Sequence, residues 1–324
     1  METVTLGRSG LRVSPLCLGT MLFGSQCDEA TSVAILDEAA GLGIDFLDTA
    51  DVYPVPPGPE TWGRSEEILG RWLRGRRERF VVATKCGSRV GPGPNDAGGS
   101  RRHVIAACEA SLRRLQTDRV DLFYLHHPDL GAPLPETLEA LDRLVRDGKV
   151  LYVGVSNFEA WQVGLALEAI AERRLSRIAA FQPRYNLVHR PAERDLLPLA
   201  RAAGIAVLPY NPLAGGMLTG RYRRGAPPPE DSRFARGEWG RMYRGRYWAE
   251  PMFDVAEAVV EVATAEGLTP AQVALAWLLG RDGVTGVIVG ASRPEQVGEW
   301  AGAVGRRLSE VGQTRLDEVS KGFV

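Results

Sequence analysis

Short apolar runs alternate along this chain with longer segments whose apolar residues recur at helical spacing. The runs are apolar throughout rather than alternating with polar residues, which is typical of strands buried on both faces of a parallel sheet. Two shorter runs, Val4–Leu6 and Leu11–Val13, predict a hairpin ahead of this sheet. The predicted sheet strands are Leu16–Leu18, Phe46–Asp48, Phe80–Thr84, Leu122–Leu125, Leu151–Val155, Ala179–Gln182, Ala206–Pro209 and Gly286–Val289.

The segments between these strands are predicted to be helices, because they place apolar residues at positions i, i+3, i+4 and i+7. Glycine follows several of them, and Pro135 begins one at a position where a missing N–H is tolerated. The clearest are Ala30–Ala40, Ser65–Arg74, Arg102–Leu115, Pro135–Arg146 and Pro191–Ala203. Eight strand–helix units predict an α/β fold, a (β/α)8 TIM barrel that forms one domain over residues 1–324, with a doubly wound sheet as the alternative.

Two long interruptions follow the carboxyl ends of predicted strands, where a barrel keeps its active-site loops. Pro54–Gly63 comes after the second sheet strand, and Arg221–Pro251 comes after the seventh. The second interruption carries several aromatic residues among many arginines. It is either a solvated excursion packed by its own aromatic side chains or a lid over a binding site.

Composition narrows the class of protein. The 39 Lys and Arg residues against 40 Asp and Glu leave a formal charge of −1, which gives no support for a nucleic-acid or membrane-surface partner. The sequence has neither an apolar run of roughly 18 residues nor the apolar stretch of a signal peptide. Cys17, Cys27, Cys86 and Cys108 lack C-x-x-C spacing and predict free thiols in a reducing compartment. The expected location is therefore cytoplasmic.

The motifs of several common chemistries are missing from the sequence. No G-x-G-x-x-G turn opens a helix after a strand, and there is neither a P-loop nor a G-x-S-x-G elbow. The four histidines, His103, His126, His127 and His189, show no zinc-ligand spacing. We expect no metal.

Polar residues stand at the ends of three successive predicted strands. Asp48 ends the second sheet strand, Lys85 follows the third, His126 follows the fourth, and Tyr53 lies in the loop after Asp48. In a closed parallel barrel these ends converge on one side of the mouth. Only three of the 39 basic residues are lysine, and only the lysine ammonium has a readily adjustable pKa, which singles out Lys85.

This set of side chains suits the delivery of a proton to a carbonyl oxygen. Tyrosine is a weak acid with a pKa near about 10, and we expect the Lys85 ammonium, held by Asp48, to lower the pKa of Tyr53. A neutral His126 can donate a hydrogen bond to a substrate oxygen. A proton donor without an electron source implies a cofactor that donates hydride.

The sequence resembles the aldo-keto reductases, a family of NADP-dependent (β/α)8 barrels, from about Leu6 to about Trp300. The runs that carry the resemblance are Leu18–Phe23, Phe46–Tyr53, Ala83–Lys85, Asp121–His126, Gly148–Phe158, Gln182–Leu187, Tyr210–Gly216 and Gly290–Gln296. The resemblance implies that the family's catalytic tetrad falls on Asp48, Tyr53, Lys85 and His126.

The resemblance also implies a binding site for NADP(H). Ser156, Asn157 and Gln182 match the residues that hold the nicotinamide carboxamide, and Tyr210 matches the ring stacked on nicotinamide. Arg293 beside a helix N-terminus suits the 2′-phosphate, which favours NADP over NAD. The remaining matched cofactor positions are Gly19, Thr20, Met21, Asp48, Asn211, Pro212, Leu213, Gly216, Arg221, Arg233, Gly290, Ser292, Gln296 and Glu299. Candidate substrate contacts are Phe23, Trp62, His127 and Trp248.

The predicted function is NADPH-dependent reduction of a small aldehyde or ketone, with Tyr53 as the proton donor. Within the family, the segment Asn95–Glu109 with His126 and His127 also resembles reductases of keto-deoxysugar nucleotides, and slowly turning over channel β-subunits are a second alternative. A third alternative is a barrel isomerase or aldolase with Lys85 as a Schiff base. Pro54 and Trp300 depart from the family pattern. The natural substrate, the direction of reaction and the oligomeric state stay open.

Overall fold

The protein is a barrel of parallel strands preceded by a small hairpin, in a computed structural model that describes residues 1–324. In the hairpin, β1 (Val4–Thr5) pairs antiparallel with β2 (Arg12–Val13). The eight parallel strands follow in the spatial order β10-β3-β4-β5-β6-β7-β8-β9. They are β3 (Leu16–Gly19), β4 (Phe46–Asp48), β5 (Val81–Cys86), β6 (Val120–Leu125), β7 (Val150–Ser156), β8 (Ile178–Gln182), β9 (Ala206–Val207) and β10 (Val287–Gly290). The predicted (β/α)8 barrel with its N-terminal hairpin is confirmed.

Backbone hydrogen bonds close the barrel between its first and last neighbours, β9 and β10. The N–H of Ile288 donates to Pro209 O at 2.9 Å, and the N–H of Thr285 donates to Val207 O at 2.9 Å. The strand β9 is shorter than the predicted Ala206–Pro209. Proline has no N–H to donate to a neighbouring strand, so the regular ladder ends before it.

Helices surround the barrel. They are α1 (Glu29–Gly41), α2 (Arg64–Leu73), α3 (Arg101–Leu115), α4 (Leu134–Arg146), α5 (Ala160–Arg173), α6 (Leu196–Ala203), α7 (Gly237–Tyr247), α8 (Glu250–Glu266), α9 (Pro270–Leu279), α10 (Pro294–Ala301) and α11 (Glu310–Val319). The predicted helix Pro191–Ala203 is divided into a 3-10 turn, Pro191–Glu193, and α6. Asp195 between them has a φ of −136°, which is outside the helical region and interrupts the helix. None of the helices combines the length and the apolarity needed to cross a bilayer.

The long segment after β9, which is expected to be either a solvated excursion or a lid, contains a helix that the sequence pattern did not predict. In α7, the residues Trp239, Met242, Tyr243 and Tyr247 follow the spacing i, i+3, i+4 and i+8, which is a helical pattern. Glycines and arginines between them obscure this signal. The segment is therefore built around an ordered helix rather than around loop alone.

The amino-terminal end of the barrel is plugged and the opposite end is open. Leu6 and Val13 of the hairpin segment are fully buried and pack with Phe46 and Leu122 inside the barrel. Gly154 makes room for this interior packing, since a Cβ there would lie 2.4 Å from the Tyr124 ring. Ligands can therefore enter only at the carboxyl ends of the strands, where loops surround a cavity of about 750 Å³.

Candidate active site

The ends of β4 and β5 bring a carboxylate, an ammonium and a phenol together. The Nζ atom of Lys85 donates to Asp48 Oδ1 at 2.5 Å and to Thr49 O at 2.7 Å, and it lies 3.5 Å from Tyr53 Oη. The Lys85 side chain is fully buried. All three N–H groups of the ammonium thus have an acceptor, and the third of these is the phenol that lines the cavity.

Burial and nearby charges shift the pKa values of Lys85 and Tyr53 in opposite directions. Burial alone would lower the pKa of Lys85, but Asp48 and Tyr53 outweigh it, so the pKa of Lys85 is raised and the amine stays charged. Burial raises the pKa of Tyr53, and the nearby Lys85 only partly opposes this. The expectation that Lys85 leaves Tyr53 with a lowered pKa is therefore wrong in net direction. Tyr53 is fully protonated near neutral pH and can act as a donor.

His126 follows β6 and faces Tyr53 across the mouth of the barrel. The two rings meet edge to face, with centroids 5.8 Å apart, and His126 stacks on His127 at 4.6 Å. Burial, followed by the charges of Lys85 and His127, lowers the pKa of His126 well below its usual range. His126 is therefore a neutral imidazole, and Ser88 Oγ lies 3.4 Å from its Nδ1.

A chain of polar groups at the ends of β7 and β8 connects to the same centre. Asn157, at a φ of 60° that asparagine tolerates, donates from Nδ2 to His126 O at 2.9 Å and accepts at Oδ1 from Tyr210 Oη at 2.7 Å. Ser156 Oγ donates to Gln182 O at 2.9 Å, and Gln182 Nε2 donates to Asp48 Oδ2 at 2.9 Å. These contacts fix the amide, hydroxyl and phenol groups of these residues beside Asp48 and His126.

Buried polar groups also support the site from behind. Glu66 on α2 is fully buried, accepts from Thr84 Oγ1 at 2.5 Å and forms an ion pair with Arg114 at 2.7 Å. The neighbouring Asp51 is buried with no hydrogen-bond partner for either carboxyl oxygen. Burial, reinforced by Glu66, raises the pKa of Asp51 well above its usual range. Asp51 lies two residues before Tyr53.

Three arginines matched to the cofactor line other parts of the same cavity. Arg221 forms an ion pair with Asp231, and Arg233 donates to Tyr243 Oη at 3.2 Å. Arg293 precedes α10, which begins at Pro294 as the sequence predicts, and its side chain has no carboxylate within ion-pair distance. A long cavity with amide donors and a tyrosine ring at one end and arginines at the other matches the chemistry of a phosphorylated dinucleotide.

Most of the residues predicted for the site line this cavity. They are Gly19, Met21, Asp48, Tyr53, His126, His127, Ser156, Asn157, Gln182, Tyr210, Asn211, Pro212, Leu213, Gly216, Arg221, Arg233, Gly290, Ser292, Arg293, Gln296 and Glu299. Lys85 lies directly behind the wall, where it contacts Asp48 and Tyr53. Thr20 is buried and donates to Asp48 O at 3.1 Å, so it supports the end of β4 rather than facing the cavity. The assignment of roles to these residues remains a prediction.

Three of the candidate substrate residues do not lie on the cavity wall. Phe23 is fully buried in the core. Trp62 is half-buried in the loop after β4 and does not line the cavity. Trp248 packs among aromatic rings, 5.0 Å from Phe234 and 5.3 Å from Phe253 between centroids, and so anchors the segment around α7. Phe23 belongs to a run that resembles the family, and Trp62 and Trp248 lie in the two long interruptions; neither signal distinguishes an anchor from a ligand contact.

Several residues on the wall were not found from the sequence. Ser88 and Arg89 follow β5, and Trp239, Met242 and Arg246 lie on one side of α7. Arg236 reaches across to Gln26, where its Nη1 donates to Oε1 at 2.6 Å. The helical spacing within α7 could have identified the shared face, but only the folded chain shows that this face meets the cavity.

Comparisons with known proteins identify relatives of this chain. A model of the Aldo/keto reductase family matches residues 15–321. An uncharacterized oxidoreductase, YrpG, of Bacillus subtilis is 37% identical, over 99% of this chain and 97% of its own. A probable voltage-gated potassium channel subunit beta of Arabidopsis thaliana is 37% identical, over 92% of this chain and 90% of its own. An L-glyceraldehyde 3-phosphate reductase of Escherichia coli is also 37% identical, over 90% and 84%.

Proposed function

Since this chain belongs to the aldo/keto reductase family of oxidoreductases, we propose that it reduces an aldehyde or ketone to an alcohol with NADPH. The observation that carries the proposal is the fully buried Lys85, which holds Asp48 and Tyr53 together at the base of a long cavity. The contact aligns a protonated phenol with an ammonium behind it. This is the arrangement of a general acid for a carbonyl oxygen that gains negative charge.

In the proposed mechanism the substrate oxygen lies between Tyr53 and His126. NADPH, when bound, supplies the hydride that adds to the carbonyl carbon. Tyr53 gives its phenolic proton to the oxygen, and the Lys85 ammonium stabilises the phenolate that remains. The lowered pKa of His126 excludes an imidazolium at neutral pH. The neutral ring donates a hydrogen bond to the same oxygen and orients it.

The same cavity wall offers the groups that would hold the cofactor. Ser156, Asn157 and Gln182 would bind the nicotinamide carboxamide, with the Tyr210 ring against the nicotinamide face. Arg293 would bind the 2′-phosphate, since a planar guanidinium makes paired hydrogen bonds to phosphate. The position of these groups at opposite ends of one cavity supports NADPH over a smaller cofactor.

The substitution Tyr53→Phe tests the proposal, because it removes the proton donor and leaves the ring. We expect NADPH binding, followed by fluorescence quenching, to stay within about threefold, while reduction of a panel of aldehydes falls by about 100-fold or more. Tyr152→Phe is the matched control, since Tyr152 lies on β7 within the same barrel and away from the cavity wall. Turnover near that of the wild type in Tyr53→Phe would refute the role of Tyr53.

A second candidate function is that of an NADP-binding regulatory subunit with slow turnover. The 37% identical relative named as a probable potassium channel subunit beta favours it. The same measurements separate the two functions. Tight NADPH binding without appreciable turnover on any aldehyde, in the wild type, would support the regulatory role over the enzymatic one.

A further inference from the structure

The catalytic end of the cavity carries positive charge that no carboxylate balances. The carboxylates on the cavity wall are Asp48, Asp231 and Glu299. Asp48 is paired with Lys85, Asp231 is paired with Arg221, and Glu299 lies on α10 at the other end. No acidic side chain is therefore left to neutralise the arginines near Tyr53 and His126.

One of these arginines is Arg246, near the end of α7. It lines the cavity, is exposed, and makes neither a hydrogen bond nor an ion pair. It lies one helical turn after Met242 and Tyr243, which line the same cavity as Tyr53 and His126. Burial raises the pKa of Tyr210 to about 12, and Arg184 and Arg246 both act against this rise. Tyr210 in turn donates to Asn157, which contacts the backbone of His126.

The other arginine is Arg89, which directly follows Ser88, the residue in contact with the His126 ring. Only its Nη1 atom is used within the protein, donating to Gly91 O at 3.1 Å and Gly93 O at 2.8 Å. The Nε and Nη2 groups are free to bind a ligand. These carbonyl contacts also fix the position of the guanidinium on the wall.

Some other exposed arginines of this protein are paired with carboxylates. Arg224 is paired with Glu250, Asp254 and Glu257, and Arg241, on the same helix as Arg246, is paired with Glu238. An unpaired cation on a cavity wall attracts anions, and the effect is strengthened where the surrounding protein excludes water.

We propose that the substrate is an anionic carbonyl compound, in which Arg246 and Arg89 bind a phosphate or carboxylate group while the carbonyl meets Tyr53 and His126. This inference rests on the proposed reductase function and adds the class of substrate to it. The cofactor phosphates do not require these two arginines, because Arg221, Arg233 and Arg293, the arginines matched to the cofactor, also line the cavity. Two guanidinium groups also favour an anion over a neutral sugar or an alkyl chain.

The first experiment compares matched pairs of substrates with and without charge. Erythrose 4-phosphate is compared with erythrose, and succinic semialdehyde with butanal, by NADPH absorbance. The first pair tests a phosphate and the second a carboxylate. In the wild type we expect kcat/KM to be at least tenfold higher for the anionic member of at least one pair, mainly because its KM is lower. The kcat/KM of the anionic member should fall as the salt concentration is raised.

The variant Arg246→Gln keeps a polar side chain and removes the charge. We expect the ratio of kcat/KM between the anionic and neutral members to fall at least tenfold, the loss expected for one charge-assisted hydrogen bond. Arg241→Gln is the matched control on the same helix and should leave the ratio unchanged. Equal losses for both members, or no preference in the wild type, would overturn the proposal. So would a loss of NADPH affinity in Arg246→Gln that accounts for the whole effect.

A binding measurement separates this proposal from the proposed reaction. Glycerol 3-phosphate and succinate carry the charge without a reducible carbonyl, and glycerol is the neutral control. With NADP+ saturating, the intrinsic tryptophan fluorescence, to which Trp239 and Trp300 on the cavity wall contribute, reports their binding. Binding of one of the anions that Arg246→Gln weakens supports the anion site even if no aldehyde is reduced. If aldehydes are reduced but neither anion binds, only the anion site is refuted.

Discussion

Replacing Lys85 by arginine keeps the positive charge and changes only its shape. Around Lys85 Nζ, Asp48 Oδ1 lies at 2.5 Å, Thr49 O at 2.7 Å and Tyr53 Oη at 3.5 Å. A tetrahedral ammonium can direct one N–H toward each of these acceptors. The planar guanidinium directs its donors within one plane and is larger, in a site where the lysine side chain has no exposed surface.

The size of the effect follows from two contributions. Extra atoms in a fully packed site cost about 1–3 kcal/mol of stability, which lowers the urea midpoint without preventing folding. Displacement of the cation from Tyr53 removes the stabilisation of the phenolate, and general acid catalysis contributes about 10²–10⁴ in rate. We therefore expect kcat/KM to fall by about 100-fold or more in Lys85→Arg, with the protein still folded.

Lys149→Arg is the matched control, because Lys149 is partly exposed and forms an ion pair with Glu109 at 2.7 Å that arginine can also make. Steady-state reduction of aldehydes, urea unfolding and NADPH titration are measured on both variants. Lys149→Arg should resemble the wild type in all three. If Lys85→Arg keeps more than about a third of the wild-type kcat/KM, charge rather than ammonium geometry is what the site requires, and the reasoning fails.

Three further predictions concern the cofactor, a buried ion pair and acid stability. Arg293→Ala should weaken NADPH by about tenfold to a hundredfold and NADH hardly at all, measured as dissociation constants; equal losses would contradict its role as phosphate ligand. Arg114→Met leaves the buried Glu66 without its cation and should lower the free energy of unfolding, measured in urea, by about 3 kcal/mol. The double variant Arg114→Met with Glu66→Gln should recover part of this loss. The backbone N–H of Gly99 donates to Asp129 and lowers the pKa of this carboxyl group in the folded protein. Asp129 therefore stabilises the fold at pH values above its unfolded pKa. This stabilisation disappears as the pH falls through the pKa of Asp129 in the folded protein. The difference in unfolding free energy between the wild type and Asp129→Asn should therefore shrink from pH 6 to about pH 2; a difference independent of pH would contradict it.

The strands of the barrel could be predicted because strands buried on both faces leave continuous apolar runs in the sequence. Their alternation with helices then implied a barrel, and the barrel placed Asp48, Lys85 and His126 at neighbouring strand ends. The hairpin could also be predicted, whereas its packing inside the barrel could not. The end of β9 at Val207, before the predicted Pro209, depends on the missing N–H of proline, a local detail that the apolar pattern does not contain.

What the sequence could not supply depends on distances in the folded chain. The direction of the Tyr53 pKa shift is the difference between two opposed effects, burial and the charge of Lys85, and neither can be read from residue types. The place of Arg246 on the cavity wall depends on how α7 packs across the mouth. The same is true of Trp248, whose neighbours in the aromatic cluster come from separate parts of the segment after β9.

The complete burial of Lys85 makes this protein suited to covalent coupling through its lysines. Amine-directed reagents such as activated esters require an accessible amino group, and Lys85 exposes none. The lysines within reach are Lys149 and Lys321, and neither lies on the wall of the cavity. Immobilisation or dye labelling at lysine would attach the protein at those two positions, and the Lys85 ammonium behind Tyr53 would stay unmodified.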